Sequence, residues 1–586
     1  MNKKIFILLV ASVLFASCED LLTPAIENNR DLDAMYTESG FAQGILANAY
    51  TRIPTNSYPF DEVATDDAVS NNNTNTYLKI ATGQWAANIN PTEKWRNCLG
   101  AIQYLNIFLA NTDKVAWADD AKVSAMFNER MKGEAYALRA MYMYYLLKAH
   151  GGWSNGQLLG VPIITEPLNS NSDFNLPRAT FEECMQMVYT DLSAAEALLP
   201  TDYVDITAES SIPASYTGAT LAQYNRVYGT QFSGRVSGRI VKAIRAQAAL
   251  LAASPAFADG NTTQWSNAAD YAAQVLDLNN GISGLSATGY TWYSNSTEID
   301  KLSAGQNPAE ILWRNTYSTS SSLESDNLPP TLYGSGRINP TQNLVDAFPM
   351  VNGYPISDNA NSGYSTATPY TSRDPRLAAY IVYNGSKLGS NNTTITLASG
   401  NDAVNATEKS TRTGYYLRKL LRNDVSYNSS GGSWNTQKHY AARIRYTELY
   451  LIYAEAANEA YGPDGKGTHN YSAREVIAAI RKRAGVGGTS DPYLASISSK
   501  EDMRTLIHNE RRLELCFEGH RFWDLRRWKE DLTVPARGVS FTSEGIQPAT
   551  VVEVRSYDPT YMYYGPIPYE ETLKWTKLIQ NDGWKK

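Results

Sequence analysis

The chain has 586 residues, 43% of them hydrophobic and 19% charged, with a formal net charge of −7. That length and apolar content support a large packed body, and the lack of a basic stripe argues against a nucleic-acid partner. Tyrosine and tryptophan, 39 and 12, far outnumber the 14 phenylalanines; such rings join a flat apolar face to a hydrogen-bonding edge and suit wet contact surfaces.

Residues 1–17 read as a secretion signal: Lys3 and Lys4, an apolar run from Ile5 to Phe15, then Ala16 and Ser17. The run is too short to span a bilayer. Cys18 follows the cleavage site, a pattern that resembles a bacterial lipoprotein signal, in which Cys18 becomes the acylated N-terminus. Glu19 and Asp20 resemble the surface-export signal of Bacteroidetes-type lipoproteins. Each buried CH₂ contributes about 0.8 kcal/mol, so several acyl chains make a stable anchor. Beyond Cys18 no apolar run approaches membrane-spanning length.

Residues 18–40 read as a tether and N-terminal segment. Residues 41–278 read as a helical region, with helices predicted at Phe41–Arg52, Thr92–Asn111, Met131–Ala149, Thr180–Leu199, Arg239–Ala253 and Trp265–Asp277. Gly151-Gly152, Pro200 and Pro255 serve as stops. Residues 279–440 are helix-poor and rich in Asn, Ser, Thr and Gly. Residues 441–586 return to helix, predicted at Arg445–Tyr461, Ser472–Ala484 and Lys500–Glu518. Alanine runs recur at Ala137–Ala140, Ala243–Ala246 and Ala454–Ala457. Small faces of this kind let helices approach closely, as in stacked tetratricopeptide-like hairpins. The expected fold is mostly α, built of such hairpins, with few short strands and an irregular loop-rich region that binds ligand.

Catalytic signatures are missing. None of the five histidines lies in HExxH, and there is no GxSxG elbow, Walker loop or GxGxxG fingerprint. Asp66-Asp67 and Glu182-Glu183 are adjacent and point apart, so neither pair forms an acid/base site alone. Cys98, Cys184 and Cys516 are scattered and read as buried thiols, with no CxxC metal pair. The charge cluster from Glu510 to Arg527 reads as a helix whose arginines pair with carboxylates. Asp464-Gly465-Lys466-Gly467 reads as an interhelical turn, short of the ligands a calcium loop needs. No metal, cofactor or catalytic residue is expected.

Several segments in order resemble the SusD/RagB family of outer-membrane nutrient-binding lipoproteins. They are Gly133–Ala140 followed by Gly151-Gly152 and Val161-Pro162-Ile163; Pro177–Thr180 leading to Asp191-Leu192 and Leu198–Pro200; Pro340–Phe348 with Arg373–Arg376; Glu510–Glu514 with Glu518–Arg521 and Trp523–Leu525; and Tyr564–Pro568. The resemblance implies a SusC-like, TonB-dependent barrel transporter as partner. It implies a glycan ligand, or in some members a peptide, and a lipid-anchored position on the outside of the outer membrane.

Loops on a rigid scaffold carry function, and two insertions stand out, Thr65–Pro91 and Leu285–Pro340. A flat ring covers the C–H face of a sugar while amides bond its hydroxyls. The candidate stacking residues are Tyr77, Trp85, Trp292, Tyr317 and Tyr333. The candidate hydroxyl ligands are Asn72, Asn73 and Asn75. Trp313, in Glu310–Trp313, reads as part of a buried strand. By resemblance, starch-binding members place an aromatic pair where this chain has asparagines, which counts against starch.

Overall fold

The computed structural model describes residues 31–303 and 305–585. The secretion signal and Cys18 lie outside the described residues.

Eleven helices of eight residues or more occur among the described residues. The first seven are α1 (Ser39–Thr51), α2 (Trp95–Asn111), α3 (Ala121–His150), α4 (Phe181–Leu198), α5 (Leu221–Tyr228), α6 (Gly238–Ala253) and α7 (Trp265–Leu278). Four follow the loop-rich stretch: α8 (Tyr446–Tyr461), α9 (Ala473–Arg483), α10 (Lys500–Glu514) and α11 (Arg521–Trp528). Their starts are written locally. Asp120 caps α3 by accepting the Val123 N–H. Thr180 with Glu183, Thr220 with Gln223 and Ser472 with Glu475 form capping boxes on α4, α5 and α9.

The helices pack in sequence as hairpins, α2 on α3, α3 on α4, and α6 on α7, with α8 laid against α7. Alanines make the contact faces. Ala243, Ala246 and Ala249 of α6, Ala268, Ala269, Ala272 and Ala273 of α7, and Ala454, Ala456 and Ala457 of α8 are fully buried. Without bulky side chains between them, helix axes can close to about 8 Å. The fold is the tetratricopeptide-like α stack that the alanine runs predict. Cys98, Cys184 and Cys516 are buried free thiols, and Trp313 lies in the buried strand Ile311–Arg314.

Two predicted boundaries shift by four residues or more. α3 begins ten residues earlier than Met131, because Asp120 supplies a cap upstream. α10 stops at Glu514 rather than Glu518. Phe517 and Gly519 take positive φ values of 62° and 78°, and this break turns Phe517 into the core of the loop-rich region. α5, which sequence reading left unassigned, forms with Tyr224, Val227 and Tyr228 inward.

Between α7 and α8 the chain forms short two-stranded pairings and turns around a second core. A buried ion network fastens it to the helices. Glu514 accepts hydrogen bonds from Arg376 at 2.9 Å, Arg445 at 3.3 Å and Arg483 at 2.6 Å. Arg376 also pairs with Asp374 and Glu510, and Arg445 with Glu310 and Glu518. Lys419 donates to Glu518 and to the Glu514 carbonyl. Glu510, Glu514, Arg376 and Lys419 are fully buried. Burial alone would raise the Glu514 pKa; Arg483, Arg445 and Arg376 outweigh it and hold the carboxyl down at about 2.

Because that folded value is depressed below the ordinary 4.5, the stabilisation is whole above about pH 4.5 and is lost as pH falls toward about 2. The urea midpoint should therefore drop steeply across that window. Arg376→Ala should cost about 3–5 kcal/mol at neutral pH by leaving carboxylates buried and unpaired. A variant as stable as the parent in urea titration would show that the network does not hold the two regions together.

Candidate functional site

The first insertion and the second meet at a short strand pair. Ala68–Ser70 runs antiparallel to Ile338–Pro340, with Ser70 opposite Ile338. That register sets Asn71 beside the turn that precedes Ile338. The Asn71 amide donates to the Ser335 carbonyl at 3.0 Å and the Ser410 carbonyl at 3.3 Å, and Arg337 donates to Asn71 Oδ1 at 3.4 Å. The asparagine-rich loop is thereby tied to the Pro329–Gly336 turn.

Tyr333 sits at the apex of that turn. A single 3₁₀ turn, Pro330–Leu332, ends at Tyr333 with φ +66°. Tyr333 N–H bonds the Pro330 carbonyl and Gly334 N–H bonds the Pro329 carbonyl. A Cβ at Gly334 would lie 1.9 Å from the Leu328 carbonyl oxygen, so only glycine fits there. A tyrosine in the left-handed region costs about 1–3 kcal/mol. The strained backbone presents a ring that is 53% exposed.

Two further rings complete a platform. The hairpin Tyr427–Asn428 with Ser433–Trp434 places Tyr427 opposite Trp434. The Tyr427 ring lies 4.6 Å from Tyr333, at 36°, and 5.5 Å from Trp434, at 61°. Asn428 Oδ1 accepts the Ser430 and Gly431 N–H groups and holds the hairpin turn. Asn428 and Ser433 are exposed beside the rings. Flat apolar faces flanked by amides and hydroxyls can cover a C–H surface and bond its polar rim.

Of the residues expected in the site, Tyr333 stands on this platform. Asn73, on the loop tied to its turn, is exposed, and its amide has no hydrogen-bond partner among the described residues. Asn72 accepts the Thr74 N–H and hydroxyl within its own turn. Asn75 caps a short helix, Thr76–Lys79, by accepting the Leu78 N–H.

Burial corrects two of the aromatic expectations, Trp85 and Trp292. Trp85 is 5% exposed, edge-on to Phe522, Tyr557 and Trp584 with the Arg526 guanidinium over its ring. Trp292 is 2% exposed, packed on Tyr440 and Tyr293. Both serve as core, since a large ring in a loop is the cheapest way to fill space between irregular segments. Tyr317 is half-buried, with Lys438 and Arg314 over its ring. Tyr77 turns inward, where burial raises its pKa and Asp61 and Glu62 add to the rise.

Sequence reading missed Tyr427, Trp434 and Asn71. A signal for the first two existed: Tyr427-Asn428-Ser429-Ser430-Gly431-Gly432-Ser433-Trp434 has a Gly-Gly turn flanked by aromatics, a hairpin pattern.

The helical stack matches the fold of SusD-like proteins. Residues 298–584 match the SusD family, and residues 25–228 match a family described as starch-binding associating with outer membrane. A SusD-like protein from Bacteroides fragilis NCTC 9343 superposes with a TM-score of 0.72 at 22% identity, over 96% of this chain and all of that one. A laminarin-binding SusD-like protein superposes with a TM-score of 0.57 at 19% identity, over 94% of this chain and all of that one. SusD-like protein P2 of Formosa agariphila is 30% identical over 141 residues, which span 24% of this chain and 25% of that relative's length. The chain belongs to the SusD/RagB family.

The contrast between Tyr333 and Trp292 is measurable without a ligand. Tyr333→Gly should leave stability unchanged or raise it by about 1 kcal/mol, because glycine accepts the left-handed backbone. Trp292→Ala should lower it by about 3–5 kcal/mol through lost core. Urea unfolding of both variants checks the assignment, and the reverse ranking would refute it.

Proposed function

We propose that this protein is a cell-surface lipoprotein, anchored at Cys18, that captures glycan and passes it to a SusC-like, TonB-dependent transporter in the outer membrane. Membership of the SusD family, the outer-membrane association in the description of the second matching family, and the laminarin-binding structural relative support this reading. The observation that carries it is the Tyr333–Tyr427–Trp434 platform.

Stacking suits a glycan because pyranose rings have C–H faces that lose contact with water on a flat aromatic. Each covered ring contributes on the order of 1 kcal/mol, so affinity comes from several weak contacts. Tethering compensates: a lipid anchor and a transporter partner keep the platform near the pore, which raises effective concentration without tight binding. No helix among the described residues is long and apolar enough to cross a membrane.

Capture proceeds without turnover in this reading. The adjacent Asp66 and Asp67 are engaged by Arg512, and Asp66 also by Arg521. Burial opposes ionisation of Asp66, but Arg512 and Arg521 hold its carboxyl below the ordinary range. A carboxylate held ionised in this way is a poor proton donor.

Affinity electrophoresis through gels containing laminarin, amylopectin or xylan tests the proposal. At least one polysaccharide should retard the protein. Tyr333→Ala and Trp434→Ala should each weaken that retardation about 10-fold, the equivalent of about 1.4 kcal/mol. Retardation by none of them, together with binding to a peptide library, would move the ligand class to peptides; release of reducing ends would make the protein an enzyme.

A further inference from the structure

An internal cleft opens between helices, lined by none of the platform residues. One lobe, of about 90 Å³, lies among α3, α6, α8 and the α10–α11 corner. The other, of about 80 Å³, lies against the segment after α1. Thr55, Tyr145, Lys148 and Trp523 line both, so the lobes form one cleft. Ser57 and Pro59 in its wall are exposed and bring its mouth to the surface. A cavity of about 150 Å³ takes a six-membered carbon ring, and the joined lobes are of that order.

Several polar atoms on its walls lack a hydrogen-bond partner among the described residues, and they are of both kinds. The Lys148 ammonium forms no ion pair among the described residues and lies 4.8 Å from the Trp523 ring centre. Asp61 is 3% exposed, and its Oδ1 has no hydrogen-bond partner among the described residues; neither has Thr55 Oγ1. On the first lobe, Arg511 Nη1 and Arg443 Nε are likewise unpartnered. Burial is the main influence on the central pair: it lowers Lys148 to about 8 and raises Asp61 to about 6. Hydrogen bonds made in such a desolvated place are strong, and groups left without them are costly.

This mixture discriminates among ligands. A simple anion would satisfy Lys148 and Arg511 but would be repelled by Asp61 and Glu448. An apolar ligand would strand every one of these groups. A ring bearing neighbouring hydroxyls is both donor and acceptor at each oxygen, and its C–H face matches the indole of Trp523 and the ring of Tyr145. We propose that this cleft is a second ligand site, separate from the surface platform, that holds one pyranose ring between Lys148 and Asp61 against Trp523. The ring is a free monosaccharide or the end residue of a chain. The inference uses the same sugar chemistry as the proposed function but a different set of residues, so the two fail separately.

The test is thermal melting and isothermal titration of the full chain with glucose, galactose, mannose and xylose. At least one should raise the melting midpoint of the parent protein. Lys148→Met should weaken that sugar at least about 10-fold while leaving retardation by polysaccharide in gels unchanged. Thr55→Val probes the same wall without altering a charge and serves if Lys148→Met does not fold. Maltotriose and cellotriose in the same titrations separate the sources: binding as tight as the monosaccharide's indicates a chain end, and loss of binding indicates free sugar. No shift with any monosaccharide, or parental affinity in both variants, would overturn the proposal.

Discussion

The buried carboxylate of Glu514 is the constraint on which the rest of the molecule depends. It ends α10, and three arginines from separate parts of the chain converge on it: Arg376 from the loop-rich stretch, Arg445 from the start of α8, and Arg483 from the end of α9. Each charge is buried and would be prohibitively costly alone; together they are satisfied. The irregular region has little regular hydrogen bonding to keep it in place. The ion network supplies what a long sheet or a helical face would otherwise provide, a unique position against the stack.

That anchorage explains how loops can carry a defined surface. The platform gathers Tyr333 from one loop and Tyr427 and Trp434 from another, while Asn71 ties a third loop to the Tyr333 turn. Such separate segments hold ring spacings of about 5 Å only if the segments beneath them are fixed. Beneath them lies a small core of Leu328, Val382, Leu388, Tyr416 and Leu421, against which Leu332 and Trp434 pack. Strain at Tyr333 is tolerated because this frame over-determines its backbone.

The helical scaffold was legible before any coordinates. Alanine runs, capping residues and glycine or proline stops are local signals, and each acts within a turn or two of the helix it governs. The end of α10 shifted for a non-local reason, since Phe517 leaves the helix axis to fill a core made largely by residues of the loop-rich stretch. The charged C-terminal cluster was also legible as ion pairing, because arginines interleaved with carboxylates on an amphipathic helix have few other ways to be buried. Its partners Arg376, Arg445 and Lys419 were not, since nothing local to them shows which carboxylate they meet.

The site divides along the same line. Sequence alone determined that loops rich in asparagine and aromatics ride on a stack of small-faced helices, because propensity, capping and residue size are properties of short segments. Which aromatics face water was decided only by the tertiary structure. Trp85, Trp292 and Tyr333 are similar when read as residues in loops, yet the first two lie 5% and 2% exposed and the third 53%. Exposure depends on what packs from the other side, and that is set by distant segments brought together by the buried charges and the second core.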